Sequence, residues 1–486
     1  MKKEMDFILI NPPSPPGKVS NKDMMGGFGQ NYSLSKGPIT KIPSIDLAYI
    51  CSESEREGLN FFVIDSLAED LIHKNVLERI EKEEARYIFI KTSTPSFWYD
   101  SILAKEINKI SKAQVFLFGP HVQQKKEESL GAEGVKGIIL GEPEEIIPKI
   151  AKKGYKQTNG LWFKENGKIL KKKIEPLISD IDSLGFPLWE FFPYHEYSLG
   201  EQINNKKPFV TMLTSRGCPY QCMYCPYPIG QGAKWRARSS QNVLEELEKL
   251  HNFYNVKGVL FRDAVFTLDR ERTKKICEGL IERKINISWR CETRIDRLDL
   301  ELVKLMKKAG CIGINIGIES LSKDVLDFLG SRPPEIKRIY DIADFCNKNG
   351  IDLFLFFIIG LPKETKKSIL KTVSWVRKLN IPYAQFTIAT PYPGTRLEEW
   401  AKKEGYLLSK EYNDATGYSC LMKNEFIGPK TIGLLYKYSN LSSQLGNKNI
   451  LKRIKKRGSL QVIKEVAKVL LAANYFIQIK LTSEKK

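Results

Sequence analysis

The sequence predicts an α/β protein in which two parallel sheets are followed by a mostly helical C-terminal region. Three observations lead to this prediction. Short apolar runs alternate with helical stretches, this alternation occurs twice along the chain, and the last part carries apolar residues at helical spacing. Alternating strands and helices are typical of parallel sheets with crossover helices. The 486 residues suffice for two or three domains, and 42% hydrophobic residues suffice to fill their cores.

The first region, residues 1–150, is predicted to form a doubly wound, Rossmann-like parallel sheet. Its short apolar runs indicate buried strands at residues 7–10, 60–64, 87–90, 115–118 and 137–140. Ligands of such sheets bind beyond the carboxyl ends of the strands. Glycine, proline and small polar residues gather at those ends, at residues 11–17, 92–96, 119–121 and 141–144. They allow a ligand to approach the backbone closely.

Residues 151–204, rich in aromatic residues and proline near their end, are predicted to be a linker. The second region, residues 205–400, is predicted to be a (β/α)6 partial barrel related to the eight-unit barrel. Its predicted strands lie at residues 209–213, 256–261, 287–291, 312–318, 353–359 and 385–389. Polar residues follow these strands, at the rim where a barrel builds its active site.

Three cysteines, Cys218, Cys222 and Cys225, lie in one short loop with the spacing C-x3-C-x2-C. Thiolates are the usual ligands of a four-iron cluster, so three of them can hold three irons and leave the fourth open. An open iron can bind a small molecule and pass it an electron. The loop therefore indicates a catalytic cluster rather than a centre that only transfers electrons.

A structural zinc site or a disulfide is the alternative interpretation of these cysteines. Zinc commonly takes a second Cys-x2-Cys pair or nearby histidines. The other cysteines are isolated, and His195 and His251 lie more than twenty residues from the loop. The odd cysteine count and the lack of a recognisable secretory signal favour a reducing, cytoplasmic compartment.

The chain is strongly basic, with a net charge of +20 from 77 basic and 57 acidic side chains. Such an excess serves nucleic acid, an anionic membrane surface or phosphate-bearing substrates, or it reflects a general use of lysine. No run of eighteen apolar residues occurs, so we expect no membrane-spanning helix.

Several motifs resemble those of the radical S-adenosylmethionine (SAM) enzymes, and more narrowly of the branch with an N-terminal cobalamin-binding domain. The resemblance covers roughly residues 5–400. The residues that carry it are the cysteine loop, Phe-Arg-Asp-Ala-Val-Phe-Thr at 261–267, Glu-Thr-Arg at 292–294, Gly-Ile-Glu-Ser at 317–320, Gly-Leu-Pro at 360–362 and Pro-Tyr-Pro-Gly-Thr at 391–395.

The resemblance implies that the three cysteines ligate a 4Fe–4S cluster whose open iron binds SAM. It also implies SAM contacts from Tyr224 (adenine), Arg262 and Asp263 (amino group, through backbone oxygens), Arg294 (carboxylate) and Glu319 (ribose). In the family an electron from the cluster cleaves SAM, and the resulting 5′-deoxyadenosyl radical removes hydrogen from an unactivated carbon. The resemblance assigns no catalytic side chain beyond these.

The resemblance also implies that the first region binds cobalamin. The expected contacts lie at the strand ends and are Ser93, Thr94, Gly119, Pro120, Gly141 and Glu142. The string Asp-x-His-x-x-Gly, whose histidine binds cobalt in many cobalamin domains, is absent, and His121 stands in a different context after Gly-Pro.

With cobalamin, methylation of an unactivated carbon of a small metabolite or lipid is the expected reaction. A radical cyclase or rearrangement enzyme without methyl transfer is the first alternative. An RNA-modifying enzyme, prompted by the charge of +20, is the second, although no appended RNA-binding module is recognisable. An external electron donor such as flavodoxin or ferredoxin is expected to reduce the cluster.

The C-terminal region, residues 401–486, matches no motif. A basic cluster at 450–457 precedes a stretch at 459–480 with apolar residues at helical spacing. This combination is typical of a helix that lies on a membrane surface, and equally of a helix packed on the barrel with a solvated basic face. We therefore expect a cytoplasmic protein, with peripheral contact at the inner membrane face as an open alternative.

Overall fold

The computed structural model describes residues 5–23, 30–33, 40–203, 205–331, 333–379, 381, 383–409 and 411–443. Two large sheets dominate this part of the chain, and each is accompanied by a two-stranded sheet. The predicted basic cluster at 450–457 and the apolar stretch at 459–480 lie outside the described residues.

The first large sheet is built from the chain up to residue 171. Its region contains the strands β1 (Met5–Asn11), β2 (Lys18–Asn21), β3 (Gln30–Ser33), β4 (Phe61–Asp65), β5 (Ala85–Lys91), β6 (Gln114–Phe118), β7 (Val135–Ile139), β8 (Leu161–Glu165) and β9 (Lys168–Lys171). Its helices are α1 (Ile45–Arg56), α2 (His73–Ile80), α3 (Phe97–Ile110), α4 (Pro120–Gln124), α5 (Lys126–Gly131) and α6 (Pro143–Lys153).

The strand order of this sheet is β4-β1-β5-β6-β7-β8-β9. The strands from β4 to β7 are parallel, and β8 and β9 extend the sheet in the antiparallel sense. The order reverses at β1, which pairs with β4 on one side and β5 on the other. In open parallel sheets the ligand crevice lies at such a reversal, beyond the carboxyl ends of the strands. The predicted doubly wound sheet is confirmed.

Alternate residues of the central strands point to opposite faces of the sheet, as the pleat requires. Leu9 and Phe89 belong to a core that includes side chains of α1 and α6. Ile8 and Ile90 belong to a second core, under α2 and α3. The first of these cores continues into the interior of the second large sheet, where it includes Met212 and other strand residues. One face of the first sheet and the barrel therefore share a single hydrophobic core.

The second large sheet forms the predicted six-stranded partial barrel. The strands of its region are β10 (Phe209–Met212), β11 (Ser215–Arg216), β12 (Arg236–Ala237), β13 (Gly258–Phe261), β14 (Ser288–Arg294), β15 (Cys311–Glu319), β16 (Asp352–Ile359) and β17 (Tyr383–Ile388). The helices are α7 (Tyr227–Gln231), α8 (Ser240–Asn252), α9 (Arg270–Glu282), α10 (Leu300–Lys308), α11 (Lys323–Phe328), α12 (Ile336–Asn349), α13 (Lys366–Lys378) and α14 (Arg396–Lys403).

All six barrel strands are parallel and lie in the order β10-β13-β14-β15-β16-β17, so each strand adds beside the one before it. The connecting helices begin where the sequence supplies a capping side chain. Ser239, Asp269, Asp299 and Thr365 each accept a hydrogen bond from a backbone N–H in the first turn of α8, α9, α10 and α13. The carboxyl ends of the six strands consequently share one rim, as the sequence predicts.

Two features of the structure go beyond the sequence analysis. The segment 151–204, for which we predict a linker, contributes β8 and β9 to the edge of the first sheet and then runs through short 3-10 turns. After α14, the described residues 404–409 and 411–428 are largely irregular, and α15 (Pro429–Ser443) follows them. None of the described helices combines the length and the apolar character needed to cross a membrane.

Candidate functional site

The cysteine loop follows β10 and connects β11 to α7. Strands β11 and β12 pair in antiparallel fashion and close the base of the loop. The Cys218 N–H donates to the carbonyl of Gly232 at 3.1 Å, and the Cys225 N–H donates to the carbonyl of Cys222 at 3.1 Å. The first of these backbone bonds joins the start of the loop to the residue after α7, and the second forms a turn within the loop.

Gly217, directly before the first cysteine, has a conformation that other residues tolerate poorly. Its φ is +78°, and a Cβ atom there would lie 2.1 Å from the carbonyl oxygen of Lys234. The conflict is with backbone, so a rotamer change cannot relieve it. The loop therefore depends on glycine at this position.

The three thiols lie close enough to influence one another. Burial raises the pKa of each, that of Cys225 to about 12, and the charges of Cys218 and Cys222 raise the pKa of Cys225 further. Among the described residues, no group of three or more His, Cys, Asp or Glu side chains is placed to hold a single metal ion. A cube that presents a separate iron to each thiolate fits this donor set.

Tyr224 and Glu319 form a hydrogen-bonded pair beside these thiols, with the phenol donating to the carboxylate. Glu319 ends β15 with a φ of +67°, and the register with β16 shifts between Gly317 and Glu319. Backbone held in the left-handed region is strained for such a residue and is concentrated at functional sites. Burial raises the pKa of Glu319 to about 7, against the hydrogen bond from Tyr224 and the charge of Arg294.

Arg294 ends β14 and brings positive charge to the cysteine loop. Its guanidinium lies 4.1 Å from the centre of the Tyr220 ring and pairs with Asp296 at 2.9 Å. Its charge lowers the pKa of the Cys218 and Cys222 thiols, although burial outweighs this effect. The structure thus brings Tyr224, Arg294 and Glu319 together around the cysteines.

Arg262 and Asp263, which the sequence analysis assigns to SAM through their backbone oxygens, use their side chains for structure. Arg262 pairs with Asp23 of the first region and, at 2.6 Å, with Glu292. The buried Asp263 carboxylate accepts hydrogen bonds from the Thr214 N–H at 3.1 Å, from the Thr214 hydroxyl at 2.7 Å and from the Ser215 hydroxyl. Asp263 therefore holds the strand that leads into the cysteine loop.

The residues predicted to contact cobalamin lie at the ends of β5, β6 and β7, which are neighbours in the first sheet. We call this set of strand ends, residues 92–96, 119–121 and 141–144, the cobalamin edge. The Ser93 hydroxyl is already bonded to that of Ser96 at 2.8 Å, and Thr94 is half-buried in the same turn. Pro120 begins α4, and Gly141 has a φ of +119°.

Glu142, the last predicted cobalamin contact, has a carboxylate that is fully engaged by protein. It accepts hydrogen bonds from Arg216 at 2.8 Å, from Arg236 at 2.9 Å and from the Ile178 N–H at 2.6 Å. The Arg216 and Arg236 guanidinium groups hold the pKa of Glu142 below its usual range despite burial. A bound group would meet the backbone of this residue.

The sequence analysis missed a buried charge network below this edge. Lys91 pairs with Asp46 and donates to the carbonyl of Lys22 at 2.6 Å, and Lys22 pairs with Asp100 at 2.8 Å. Asp100 also accepts from Thr92 at 2.7 Å. The sequence carries one signal of this network, a lysine directly after the apolar strand at 87–90. If such a lysine is buried, it needs an acidic partner, because an uncompensated ammonium is too costly to bury.

His121 lies on the same edge and is 2% exposed. Its ring stacks on Phe97 with the ring centres 4.2 Å apart, and neither ring nitrogen has a hydrogen-bond partner within the described structure. Burial lowers the pKa of His121 to about 3, so the ring is neutral. Buried polar atoms without partners fit an edge that receives a polar bound group.

A second buried carboxylate, Glu364, links the loops after β15 and β16. It is 2% exposed, accepts a hydrogen bond from the Gly360 N–H at 2.6 Å and accepts another from the Ser320 hydroxyl. Burial raises its pKa to about 8, against these hydrogen bonds. The Gly-Leu-Pro turn is therefore held by a carboxyl group that is protonated at neutral pH.

We expect the thermal midpoint of Glu364→Gln to match that of wild type near pH 4.5 and to exceed it by a margin that grows with pH and reaches about 2–4 °C at pH 9. The unfolded chain loses this proton near pH 4.5, whereas the folded protein keeps it until about pH 8. The folded state binds more protons between these values, so wild-type stability falls as the pH rises. Glutamine avoids that loss. Equal midpoints at pH 9, or the same gain in the exposed control Glu399→Gln, would contradict this assignment.

Comparison with known proteins decides the family of the chain. The profile of the Radical SAM superfamily matches residues 212–376, which include the cysteine loop and strands β13 to β16. A protein of Pyrococcus horikoshii, named as the uncharacterized methyltransferase PH0819, is 33% identical over 481 residues, which cover 97% of this chain and 99% of that protein. The chain belongs to the radical SAM superfamily. This radical SAM protein is therefore an enzyme that uses SAM and a 4Fe–4S cluster, as the sequence analysis expects.

Two further proteins are similar to this radical SAM protein. The anaerobic magnesium-protoporphyrin IX monomethyl ester cyclase of Cereibacter sphaeroides is 26% identical over 73% of this chain and 60% of its own length. The radical SAM methyltransferase TsrM of Kitasatospora setae, solved with cobalamin and a 4Fe–4S cluster bound, is 15% identical with a TM-score of 0.64, covering 82% of this chain and 75% of that one. At this identity the likeness shows a common fold over most of both chains.

Proposed function

We propose that this radical SAM protein is a cobalamin-dependent C-methyltransferase that acts on an unactivated carbon of a small metabolite or lipid. One observation carries the proposal: the cobalamin edge contacts β11, the short strand that leads into the cysteine loop. Glu142, at that edge, lies 2.8 Å from Arg216, and Arg216 stands two residues before Cys218. A methyl donor and the group that activates the substrate carbon must meet in one cavity, and this contact brings their two binding regions together.

The residues present fit the three cofactors. Cys218, Cys222 and Cys225 would hold the cluster, and Tyr224, Arg294 and Glu319 would hold SAM next to it. The cobalamin edge would hold the corrinoid, with His121 and the glycines at the strand ends facing it. When bound, the cluster and SAM supply hydrogen removal from carbon, and cobalamin supplies the methyl group.

The side chains of this radical SAM protein bind and orient these groups. Glu319 lies at a strand end whose backbone is held in the left-handed region, and its carboxylate would accept hydrogen bonds from the ribose hydroxyls of SAM. Tyr224 fixes the rotamer of that carboxylate by donating a hydrogen bond to it. Arg294, which pairs with Asp296 in the structure, would offer its guanidinium to the SAM carboxylate.

The test is an anaerobic reconstitution with iron, sulfide and hydroxocobalamin, followed by SAM that carries a deuterated methyl group. The protein is incubated with polar and lipid fractions of a cell extract, and each fraction is searched for a deuteromethyl product. A methyltransferase forms S-adenosylhomocysteine together with 5′-deoxyadenosine, and the fraction that gains label identifies the substrate class. Absence of corrinoid from the reconstituted protein would contradict the methyltransferase proposal.

A radical cyclase or rearrangement enzyme is the second candidate, and the likeness to the magnesium-protoporphyrin ester cyclase favours it. That relative shares 73% of this chain at 26% identity, which includes both sheets in part. Such an enzyme would form 5′-deoxyadenosine without S-adenosylhomocysteine. The same labelled experiment therefore separates the two candidates.

An acidic electron-donor protein, such as a flavodoxin or ferredoxin, is the proposed partner that reduces the cluster. The cysteine loop reaches the surface at Pro219 and Gln221, which are exposed. Between them Tyr220 accepts a hydrogen bond from the Arg297 guanidinium at 2.8 Å and lies under Arg294. The loop thus meets solvent beside two guanidinium groups, which favours an anionic partner.

We expect Arg297→Glu to slow flavodoxin-driven formation of 5′-deoxyadenosine by about tenfold at low salt, because reversal of a surface charge weakens encounter with an acidic protein. The rate with dithionite should stay at the wild-type value, since dithionite needs no docking surface. Arg338→Glu, an equal charge reversal on α12, is the matched control. Equal slowing with both reductants would show that Arg297 acts on the loop rather than on docking.

A further inference from the structure

We propose that Glu142 and Glu144 are positioning residues that act through Arg216 and set the cysteine loop against the cobalamin edge, so that cluster assembly and cobalamin binding are coupled. The inference rests on the proposed function, because it assumes that cobalamin binds at this edge. It adds that the link between the two cofactor regions is a specific ion-pair cluster.

The cluster consists of charged side chains that are all buried. Arg216, Glu142 and Glu144 are 3%, 5% and 1% exposed. One guanidinium nitrogen of Arg216 donates to Glu142 at 2.8 Å and also to Glu144. The guanidinium of Arg216 also lies 5.1 Å from the centre of the Tyr49 ring, on α1. The two carboxylates therefore meet the cation that immediately precedes the cysteine loop.

Arg236 extends the cluster to the other strand of the small ribbon that closes this loop. It pairs with the second oxygen of Glu142 at 2.9 Å and donates to the carbonyl of Gln231 at 2.8 Å. Arg216 of β11 and Arg236 of β12 are paired neighbours in the ribbon, so Glu142 binds both of its strands. The base of the cysteine loop is thus tied to the end of β7.

The barrel holds the same segment from the opposite side. Asp263 binds Thr214 and Ser215, and Arg272 donates to the carbonyl of Thr214 at 2.6 Å. Residues 214–216 are therefore held by side chains that follow β7 in the first region and by side chains that follow β13 in the barrel. A displacement of the cobalamin edge must either move Arg216 or separate buried opposite charges.

Separating Arg216 from Glu142 and Glu144 is energetically unfavourable. Removing one partner from a buried ion pair leaves an uncompensated charge and is strongly destabilising. The planar guanidinium of Arg216 also fixes the orientation of its hydrogen bonds to the two carboxylates, which a lysine ammonium would not do. Glu142 directly follows Gly141, which has a φ of +119°, and both residues belong to the turn after β7 that forms part of the cobalamin edge. When cobalamin orders this turn, Arg216 and the cysteine loop are ordered with it.

Coupling of this kind is reciprocal, so it appears as a change in cobalamin affinity when the cluster is assembled. The experiment measures the Kd for hydroxocobalamin, by optical titration under anaerobic conditions, on cluster-free protein and on protein with a full complement of iron. We expect wild-type protein to bind hydroxocobalamin at least about fivefold more tightly when the cluster is present.

Glu144→Gln should bring this ratio close to one, and Arg216→Lys, which keeps the charge but loses the fork, should do the same. Glu145→Gln is the matched control, because Glu145 lies on the same helix α6 and pairs with Lys149 at the surface. Thermal midpoints and iron content verify that each variant is folded and loaded. The control should retain the wild-type ratio.

A wild-type ratio of one, or a wild-type ratio in both Glu144→Gln and Arg216→Lys, overturns the inference while leaving the proposed function intact. A protein that binds no hydroxocobalamin in either state overturns the proposed function, and the inference with it. The two failures are therefore distinct in one set of titrations.

Discussion

Serine in place of Cys222 is expected to reduce SAM cleavage by at least about a thousandfold, because SAM receives no electron when the cluster is missing. The same result is expected for Cys218→Ser and Cys225→Ser, since each thiolate would hold a different iron of the proposed cluster. The measurement is 5′-deoxyadenosine formed per protein under dithionite, together with the iron content and the paramagnetic spectrum of the reduced protein.

Cys420→Ser is the control for this series. Cys420 is half-buried, lies outside the cysteine loop and donates its thiol hydrogen to the carbonyl of Met422 at 2.9 Å. We expect this variant to keep both iron and activity. Wild-type turnover after serine replacement at any one of the three loop cysteines would remove the basis of the proposed chemistry.

Gly119→Ala is expected to weaken cobalamin binding by more than about a hundredfold, which corresponds to roughly 3 kcal/mol. A Cβ atom there would lie 2.1 Å from the carbonyl oxygen of Thr92, and the φ of +127° excludes most side chains. Thr92 cannot yield easily, because its N–H is bonded to the carbonyl of Phe118 at 2.8 Å. The ends of β5 and β6 must then separate, and the cobalamin edge loses its shape.

The measurement is the corrinoid retained after gel filtration, with SAM cleavage measured on the same samples. Gly58→Ala is the matched control, since Gly58 has a φ of +69° but open space around its Cβ position. We expect Gly119→Ala to lose corrinoid and keep its cluster, and Gly58→Ala to keep both. Full corrinoid in the Gly119 variant would show that this edge is not the binding region.

The strands of both large sheets are predictable because their apolar runs are short and bounded by turn residues. Every predicted strand has a counterpart in the structure, with ends that differ by a few residues. The hairpins β2–β3 and β8–β9 and the ribbon β11–β12 are different. β2, β3, β11 and β12 contain few apolar side chains, so their pairing carries no local hydrophobic pattern. The apolar residues of β8 and β9 lie within the segment that we predict to be a linker.

The cysteine loop is predictable because its spacing carries a chemical requirement that few other functions share. Tyr224 belongs to the loop itself, and the order of the parallel strands brings Arg294 and Glu319, at the ends of β14 and β15, to it. The roles of the Arg262, Asp263 and Glu142 side chains are not visible in the sequence, because their partners lie far away along the chain: 239 residues separate Arg262 from Asp23. Long-range pairing of charges carries no local pattern.

The hydrophobic core that runs from Leu9 and Phe89 into the barrel around Met212 has a consequence for how this protein is built. If the chain were divided between the two sheets, each half would expose to water the apolar side chains that now lie in the shared core. Neither half is then an independent folding unit that can be exchanged between relatives or produced in isolation. We expect heat to melt both halves together, in one cooperative step.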